Sequence, residues 1–213
     1  MRVRIWDRPT RLFHWLLVAL VPALWWTAEE ELVEIHMILG RTMLGLVLFR
    51  LLWGLIGGST ARFASFVRGP GAVLSYLRGK AGHVVGHNPL GALSVVALLL
   101  ALAVQVGLGL FASDEDGLYS GPLAHFVGSE ASETLTDRHE TMFDVLLVLI
   151  GLHVAAIVYY TWFKRQDLVG PMVIGSGEAP AGAAPMKPAP PLWRFALAAS
   201  LAAAIAFGIG VVF

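Results

Sequence analysis

The sequence has no cysteine and little charge. Only 14% of its 213 residues are charged, where an average soluble domain has about 25%. The absence of cysteine excludes disulfides, iron–sulfur clusters, thiolate zinc sites and covalent haem attachment. Because 15 basic residues are balanced by 15 acidic ones, the chain also lacks the basic surface that binds nucleic acid. A redox metal would have to be held by other side chains, and the seven histidines are the candidates.

Apolar residues dominate the chain. They make up 57% of it, and the mean hydropathy of +0.71 indicates an integral membrane protein. A helix needs about 20 mostly apolar residues to cross a bilayer. The first such stretch contains His14, Pro22 and a tryptophan pair but no small-residue cleavage site, which argues against a secretory signal. We predict five membrane-spanning helices, at residues 12–27, 35–56, 93–112, 141–163 and 193–213.

Basic residues are concentrated in alternate segments outside these spans. The N-terminal segment and the loops after the second and fourth spans hold most of the Lys and Arg residues. The opposite loops are acidic, and their one basic residue is Arg138. Because short cytoplasmic loops are enriched in Lys and Arg, this distribution predicts a cytoplasmic N-terminus and an acidic outer face.

The last part of the chain differs in composition from the rest. Residues 175–192 are rich in Pro, Ala and Gly, which predicts a flexible linker. The segment 193–213 has no ionisable residue after Arg194. We therefore expect an accessory fifth helix that is loosely tethered and dispensable for cofactor binding. In the loop after the second span, residues 61–68 and 73–78 mix apolar and basic side chains, which is typical of segments at a membrane surface.

Four histidines lie within the predicted spans or at their borders, and ionisable residues there are usually functional. His139 and His153 are two heptads apart, so both lie on one face of the fourth span, separated by about 21 Å. That separation is too long for one metal and fits two stacked sites. His36 enters the membrane from the same side as His139, and His14 lies in the same half as His153. Two neutral imidazoles saturate a haem iron, so we predict one haem between His36 and His139 and one between His14 and His153.

Two alternatives remain at this point. A single histidine in a span can serve only as an interhelical hydrogen-bonding residue. His87 could replace His14 as the partner of His153, because His14 lies nearer the membrane surface than His153 does. Asn88 and Pro89 are typical of a helix N-cap and first turn, however, which places His87 outside the third span.

Two arginines lie within the spans. Arg41 and Arg50 could each pair with a haem propionate, Arg41 at the outer site and Arg50 at the inner one. The alternative is that they extend to the membrane surface. Four glycines would leave room for a flat macrocycle; they are Gly40, Gly45, Gly107 and Gly109.

Three segments resemble the prokaryotic cytochrome b561 family, which includes the b-type cytochrome subunits of membrane-bound hydrogenases. They are residues 11–15 (RLFHW), 34–41 (EIHMILGR) continuing into 49–54 (FRLLWG), and 138–154 (RHETMFDVLLVLIGLHV). The resemblance covers residues 1–174. It implies an all-α membrane protein in which a four-helix bundle holds two b haems, ligated by His14, His36, His139 and His153. The linker and the fifth helix depart from that pattern.

The resemblance also implies a function. Proteins of this family transfer electrons between the quinone pool and a partner outside the bacterial inner membrane. Residues 86–91 (GHNPLG) are similar to a subgroup that is often paired with c-type cytochromes. We therefore expect a respiratory electron-transfer subunit whose partner is a periplasmic c-type cytochrome or a dehydrogenase subunit. Two alternatives are a stand-alone quinone-linked enzyme, such as a superoxide oxidase, and a haem-free anchor subunit.

Overall fold

The computed structural model describes residues 2–80, 86–114, 118–178 and 189–209. His83 of the second loop and the acidic Glu115 and Asp116 lie outside these ranges, as does most of the predicted linker. Two short strands and eight α-helices are present in the described part. In chain order they are β1 (Arg2–Arg4), α1 (Arg8–Glu29), α2 (Val33–Ile56), α3 (Phe63–Phe66), α4 (Pro70–Leu77), α5 (Pro89–Gly109), α6 (Ser129–Trp162), α7 (Val169–Ile174), β2 (Ser176–Glu178) and α8 (Leu192–Gly208).

Four helices are long and apolar enough to cross a membrane. They are α1, α2, α5 and α6, which confirms the first four predicted spans. The helix α6 has 34 residues and begins 12 residues before the predicted start. Hydropathy could not indicate this extension, because the added residues are polar but include good helix formers. The two surface segments of the second loop contain the short helices α3 and α4.

Side-chain caps fix where two of the spanning helices begin. The Asp7 carboxylate accepts a hydrogen bond from the backbone N–H of Thr10 at 2.8 Å, and α1 starts at Arg8. Asn88 caps α5 in the same way through Gly91 N–H at 2.7 Å, and Pro89 is the first residue of that helix, as predicted. Because α1 starts earlier than predicted, His14 lies about 9 Å from the first residue of that helix. His153 lies about 14 Å from the last residue of α6, so the two depths differ less than the sequence suggested.

The spanning helices pack in a row. The helix α1 packs on α2, α2 packs on α5, and α5 packs closely on α6. Among the described residues, α1 and α6 show no comparable backbone packing on each other. The core has two apolar clusters, one around Phe49 and Trp53 and one around Met43 and Leu146. The bundle therefore leaves a space between its first and last spanning helices.

The fifth apolar helix, α8, packs along α2 as closely as α5 packs on α6. Its buried face is a stripe of Ala198, Ala202 and Ala206, and the β-carbon of Ala206 lies 3.5 Å from where a β-carbon of Gly45 would be. Small residues at this spacing let two helices approach each other closely. The expectation of a loosely tethered helix is therefore wrong for the packed part. Gly45 makes room for α8, and not for a macrocycle as predicted.

The N-terminal segment is tied to the chain that follows α6. Strands β1 and β2 pair antiparallel, with Arg2 opposite Glu178. The Arg11 guanidinium donates to the carbonyl of Val173, and the Trp15 indole donates to the carbonyl of Met172 at 3.2 Å. Residues 176–178 thus form a strand where the sequence predicted the start of the linker. Residues 179–188 of that linker lie outside the described part.

Candidate haem sites

The first candidate site lies between α2 and α6. The rings of His36 and His139 face each other with their centres 6.3 Å apart and their planes at 82°. A metal–imidazole bond is about 2 Å long, so two imidazoles on opposite sides of one metal have ring centres roughly 6 Å apart. The two predicted partners therefore lie at the separation that two imidazoles bound to one metal would have.

Hydrogen bonds fix the proton on each of these two rings. His36 Nδ1 lies 3.0 Å from the carbonyl oxygen of Leu24, and His139 Nδ1 lies 2.9 Å from the carbonyl oxygen of Gln105. A carbonyl oxygen can only accept a hydrogen bond, so each Nδ1 carries the hydrogen. Nε2 then keeps its lone pair in both rings. This is the usual arrangement of a metal-binding histidine.

Two residues of α5 shape the same site. The side-chain nitrogen of Gln105 lies 3.2 Å from Nε2 of His139, and its side-chain oxygen is buried without a hydrogen-bond partner. A β-carbon on Gly109 would lie 2.9 Å from Cε1 of His139, closer than a real contact allows. Gly109 is therefore needed for the ring to lie where it does. A β-carbon on Gly40 or Gly107 would meet open space.

The second candidate site is a cavity of about 1830 Å³ between α1, α5 and α6. Both predicted partners, His14 and His153, line it. This volume exceeds the roughly 300–1,000 Å³ of ordinary small-molecule pockets. The lining extends past the end of α6 to Lys164 and Arg165.

The two rings of this second site have different polar neighbours. His153 Nδ1 lies 3.2 Å from the hydroxyl of Ser94 on α5. His14 Nδ1 is buried and has no hydrogen-bond partner in the described residues. A buried polar atom without a partner is costly, so the orientation of the His14 ring is not explained by hydrogen bonding and fits a role as a ligand.

His87 also lines this cavity. Its ring is held between Trp6 and Phe66, with centre distances of 4.5 and 4.4 Å, and its Nδ1 is buried without a partner among the residues that the structure describes. Burial, together with the nearby Arg50 and His153, lowers the pKa of His87 to about 3, so the ring is neutral at physiological pH. His87 therefore stays in competition with His14 for the second axial position.

The two span arginines lie in different surroundings. Arg50 is only 2% exposed, donates to the carbonyl of Ala61 at 3.1 Å and lies over the ring of Phe63. It lines the second cavity, and its hydrogen bond to Ala61 reaches the segment that the sequence places at the membrane surface. Arg41 is half-buried, and its Nε is buried without a partner. Either guanidinium could hold an anionic group.

These donor sets fit haem and do not fit a bare metal ion. Among the described residues there is no group of three or more His, Asp or Glu side chains that could hold a metal. A haem needs only two axial nitrogens, which each predicted histidine pair would supply. The family model of prokaryotic cytochrome b561 matches residues 5–175. The chain belongs to this family.

The match makes the protein a b-type cytochrome of the membrane that takes part in electron transfer, in contact with lipid. Comparison with curated proteins and with solved structures gave no significant match. Sequence reasoning missed Ser94 and Gln105, which contact His153 and His139. A signal for them exists, because they are the two polar side chains of an otherwise apolar α5. Eleven residues apart, they lie three turns from each other on one face.

Proposed function

We propose that this cytochrome binds two b haems and carries electrons across the bacterial inner membrane, between an outer redox partner and the quinone pool. The observation that supports this most is the position of His139 and His153 on the single helix α6, about 21 Å apart, with the ring of His36 beside His139 and with His14 lining the same cavity as His153. In this proposal the N-terminus is cytoplasmic. We call the His36–His139 pair the outer site and the His14–His153 pair the inner site.

When bound, haem supplies an iron that gains or loses one electron without rearrangement of its ligands. In this proposal each histidine pair would hold one haem iron through two imidazoles, so the iron would transfer electrons and not bind a substrate. Leu24 and Gln105 keep the hydrogen on Nδ1 of the outer histidines, so that Nε2 of each ring has the lone pair that would bind iron. The Gln105 amide, which donates to Nε2 of His139, would have to turn away from that nitrogen. In this proposal Arg41 and Arg50 hold the propionates of the outer and inner haem.

The surroundings of the two sites support the proposed partners. The inner cavity is much larger than a single small-molecule pocket and has the apolar residues of α1 and α6 in its wall, which suits a lipid-soluble quinone beside the haem. Exposed acidic residues lie near the outer site; they are Glu29, Glu30, Glu31, Glu34, Asp137 and Glu140. They would attract a basic protein such as a c-type cytochrome, and would repel an anion such as superoxide.

Haem stoichiometry combined with quinol reduction tests the proposal. We expect the purified full chain to contain two haems per protein, with the spectrum of six-coordinate iron. An added quinol analogue should reduce the oxidised haems, or an added quinone analogue should reoxidise the reduced haems, in the absence of any other protein. One haem or none per chain would contradict the two-site assignment, and two haems that exchange electrons with neither quinol nor quinone would contradict the quinone assignment.

A further inference from the structure

The two sites differ in the polar groups around their histidines. From this difference we infer that the inner haem has the higher reduction potential, so that electrons enter at the outer end and leave at the inner end towards quinone. This inference rests on the proposed function and adds the direction of electron flow to it. The quinone is then reduced, and the outer partner is an electron donor.

The first argument concerns hydrogen bonds to the axial ligands. Both outer rings donate from Nδ1 to backbone carbonyls, His36 at 3.0 Å and His139 at 2.9 Å. An imidazole that donates to a carbonyl becomes a stronger base towards its metal. A more basic ligand stabilises ferric iron relative to ferrous iron, which lowers the reduction potential. Both ligands of the outer site act in this direction.

The inner ligands have weaker partners. His153 Nδ1 has the Ser94 hydroxyl at 3.2 Å, and His14 Nδ1 has no hydrogen-bond partner in the described residues. If His87 replaces His14, the argument is unchanged, because His87 Nδ1 has none there either. The inner imidazoles are therefore less basic than the outer ones, and the inner iron keeps more of its preference for the ferrous state.

The second argument concerns charge and is independent of the first. The inner cavity is lined by the buried guanidinium of Arg50, and further along by Arg2, Lys164 and Arg165. Three carboxylates oppose these four charges: Asp7, which interacts with Arg50, and Asp167 and Glu178 in the cavity wall. Positive charge nearby favours the reduced haem, which carries one positive charge fewer. Each haem brings the same two propionates, so the difference between the sites comes from the protein.

The outer end has the opposite balance. Glu34, Asp137 and Glu140 are close in sequence to the outer ligands, and three more glutamates lie at the end of α1 and in the turn that follows it, against Arg41 and Arg138. Exposed carboxylates act weakly through water, so Arg50 contributes more than any one of them. Ligand basicity and charge thus act together. We expect an electron to favour the inner haem by at least tenfold, which is about 59 mV for one electron.

A redox titration of the purified holoprotein tests this inference. We expect two one-electron components, and the ligand variants His36→Ala and His139→Ala should each lose the lower one. Loss of the higher component in these variants, or two components of equal potential, would overturn the inference and leave the two-haem proposal intact. A single haem in the wild-type protein would instead overturn the proposed function.

Charge variants assign the components without removal of a ligand. Arg50→Gln should lower the potential of the higher component alone, whereas Arg50→Lys keeps the charge and should leave that potential close to the wild-type value. Arg41→Gln is the matched variant at the outer site and should lower only the lower component. If Arg50→Gln shifts the lower component, the assignment of the higher potential to the inner site is wrong.

Discussion

The two ends of the bundle hold their histidines in different ways. At the outer site the rings of His36 and His139 already lie at a separation suited to a shared metal, and Gly109 leaves no spare room beside them. At the inner site His14 and His153 face a cavity large enough for more than one ligand. In the proposed arrangement, close packing would hold the outer haem tightly, whereas the space at the inner site would also admit a second molecule.

Removal of axial ligands should have the largest effect and tests whether the sites are separate. His139→Ala should leave a low-spin spectrum of about half the wild-type amplitude, because only the outer haem depends on it. His153→Ala should do the same for the inner haem. The measurement is haem content with the absorbance spectrum. If both variants lose the same component, there is one site and the comparison fails.

The same experiment decides between the two candidates for the second inner ligand. His14→Ala should remove the inner haem, whereas His87→Ala should leave both haems bound. His87 is the matched control, because both rings line the cavity and both have a buried, unpartnered Nδ1. The reverse result would show that His87 is the ligand.

Much of this arrangement can be predicted from sequence. The four long apolar helices, the Asn88 cap and the pairing of His36 with His139 follow from hydropathy, capping chemistry and the two-heptad spacing on α6. These features depend on local composition or on the period of a helix, so one sequence contains them. The histidine pairs could be proposed because the Lys and Arg residues of the loops predict the side from which each helix enters the membrane.

Contacts between distant segments could not be predicted. The packing of α8 on α2 depends on matching small side chains of two helices, and the spacing of Ala198, Ala202 and Ala206 does not say which helix they face. Likewise, the pairing of β1 with β2 joins segments that each have only three residues. Ser94 and Gln105 stood out as polar residues, but only the α5–α6 contact shows which histidine each one touches.

A methyl group next to the outer ligand should have the next largest effect. In Gly109→Ala the new β-carbon would lie 2.9 Å from Cε1 of His139, so the ring must move and the outer haem should bind less tightly. Gly107→Ala is the control on the same helix, because a β-carbon at residue 107 would have no described atom within 4 Å. Haem retention on dilution measures the difference. Equal retention by the two variants would mean that the outer site is less tightly packed than we infer.

The fifth helix should affect both sites equally, through stability. Ala202→Leu adds a large side chain to the buried face against α2 and should lower thermal stability, since overpacking of a well-packed contact costs about 1–3 kcal/mol. Ala203→Leu is the control, because residue 203 is exposed. Haem content should stay at the wild-type value in both variants. Loss of one haem in Ala202→Leu would mean that α8 helps to form that site.

The smallest effect is expected at the end of the inner cavity where one hydrogen bond joins α4 to α6. The hydroxyls of Tyr76 and Tyr160 lie 2.9 Å apart, and both side chains line the cavity. Tyr76→Phe removes this bond and should lower the unfolding free energy by about 0.5–1.5 kcal/mol without a change in the haem spectrum. Tyr159→Phe is the control, because the Tyr159 hydroxyl has no hydrogen bond in the described residues and its stacking on Phe163 is kept.

The pH dependence of this stability difference tests the raised pKa of Tyr76. Burial and the hydrogen bond to Tyr160 raise the pKa of Tyr76 above its usual value. A group with a raised pKa stabilises the fold fully below its unfolded pKa, about 10 for tyrosine, and loses that contribution as the pH rises towards the folded pKa. The stability difference between the wild type and Tyr76→Phe should therefore be constant up to about pH 10 and shrink above it. Thermal unfolding of both proteins at matched pH measures the difference. A gap that stays constant above pH 10 would contradict the raised pKa of Tyr76.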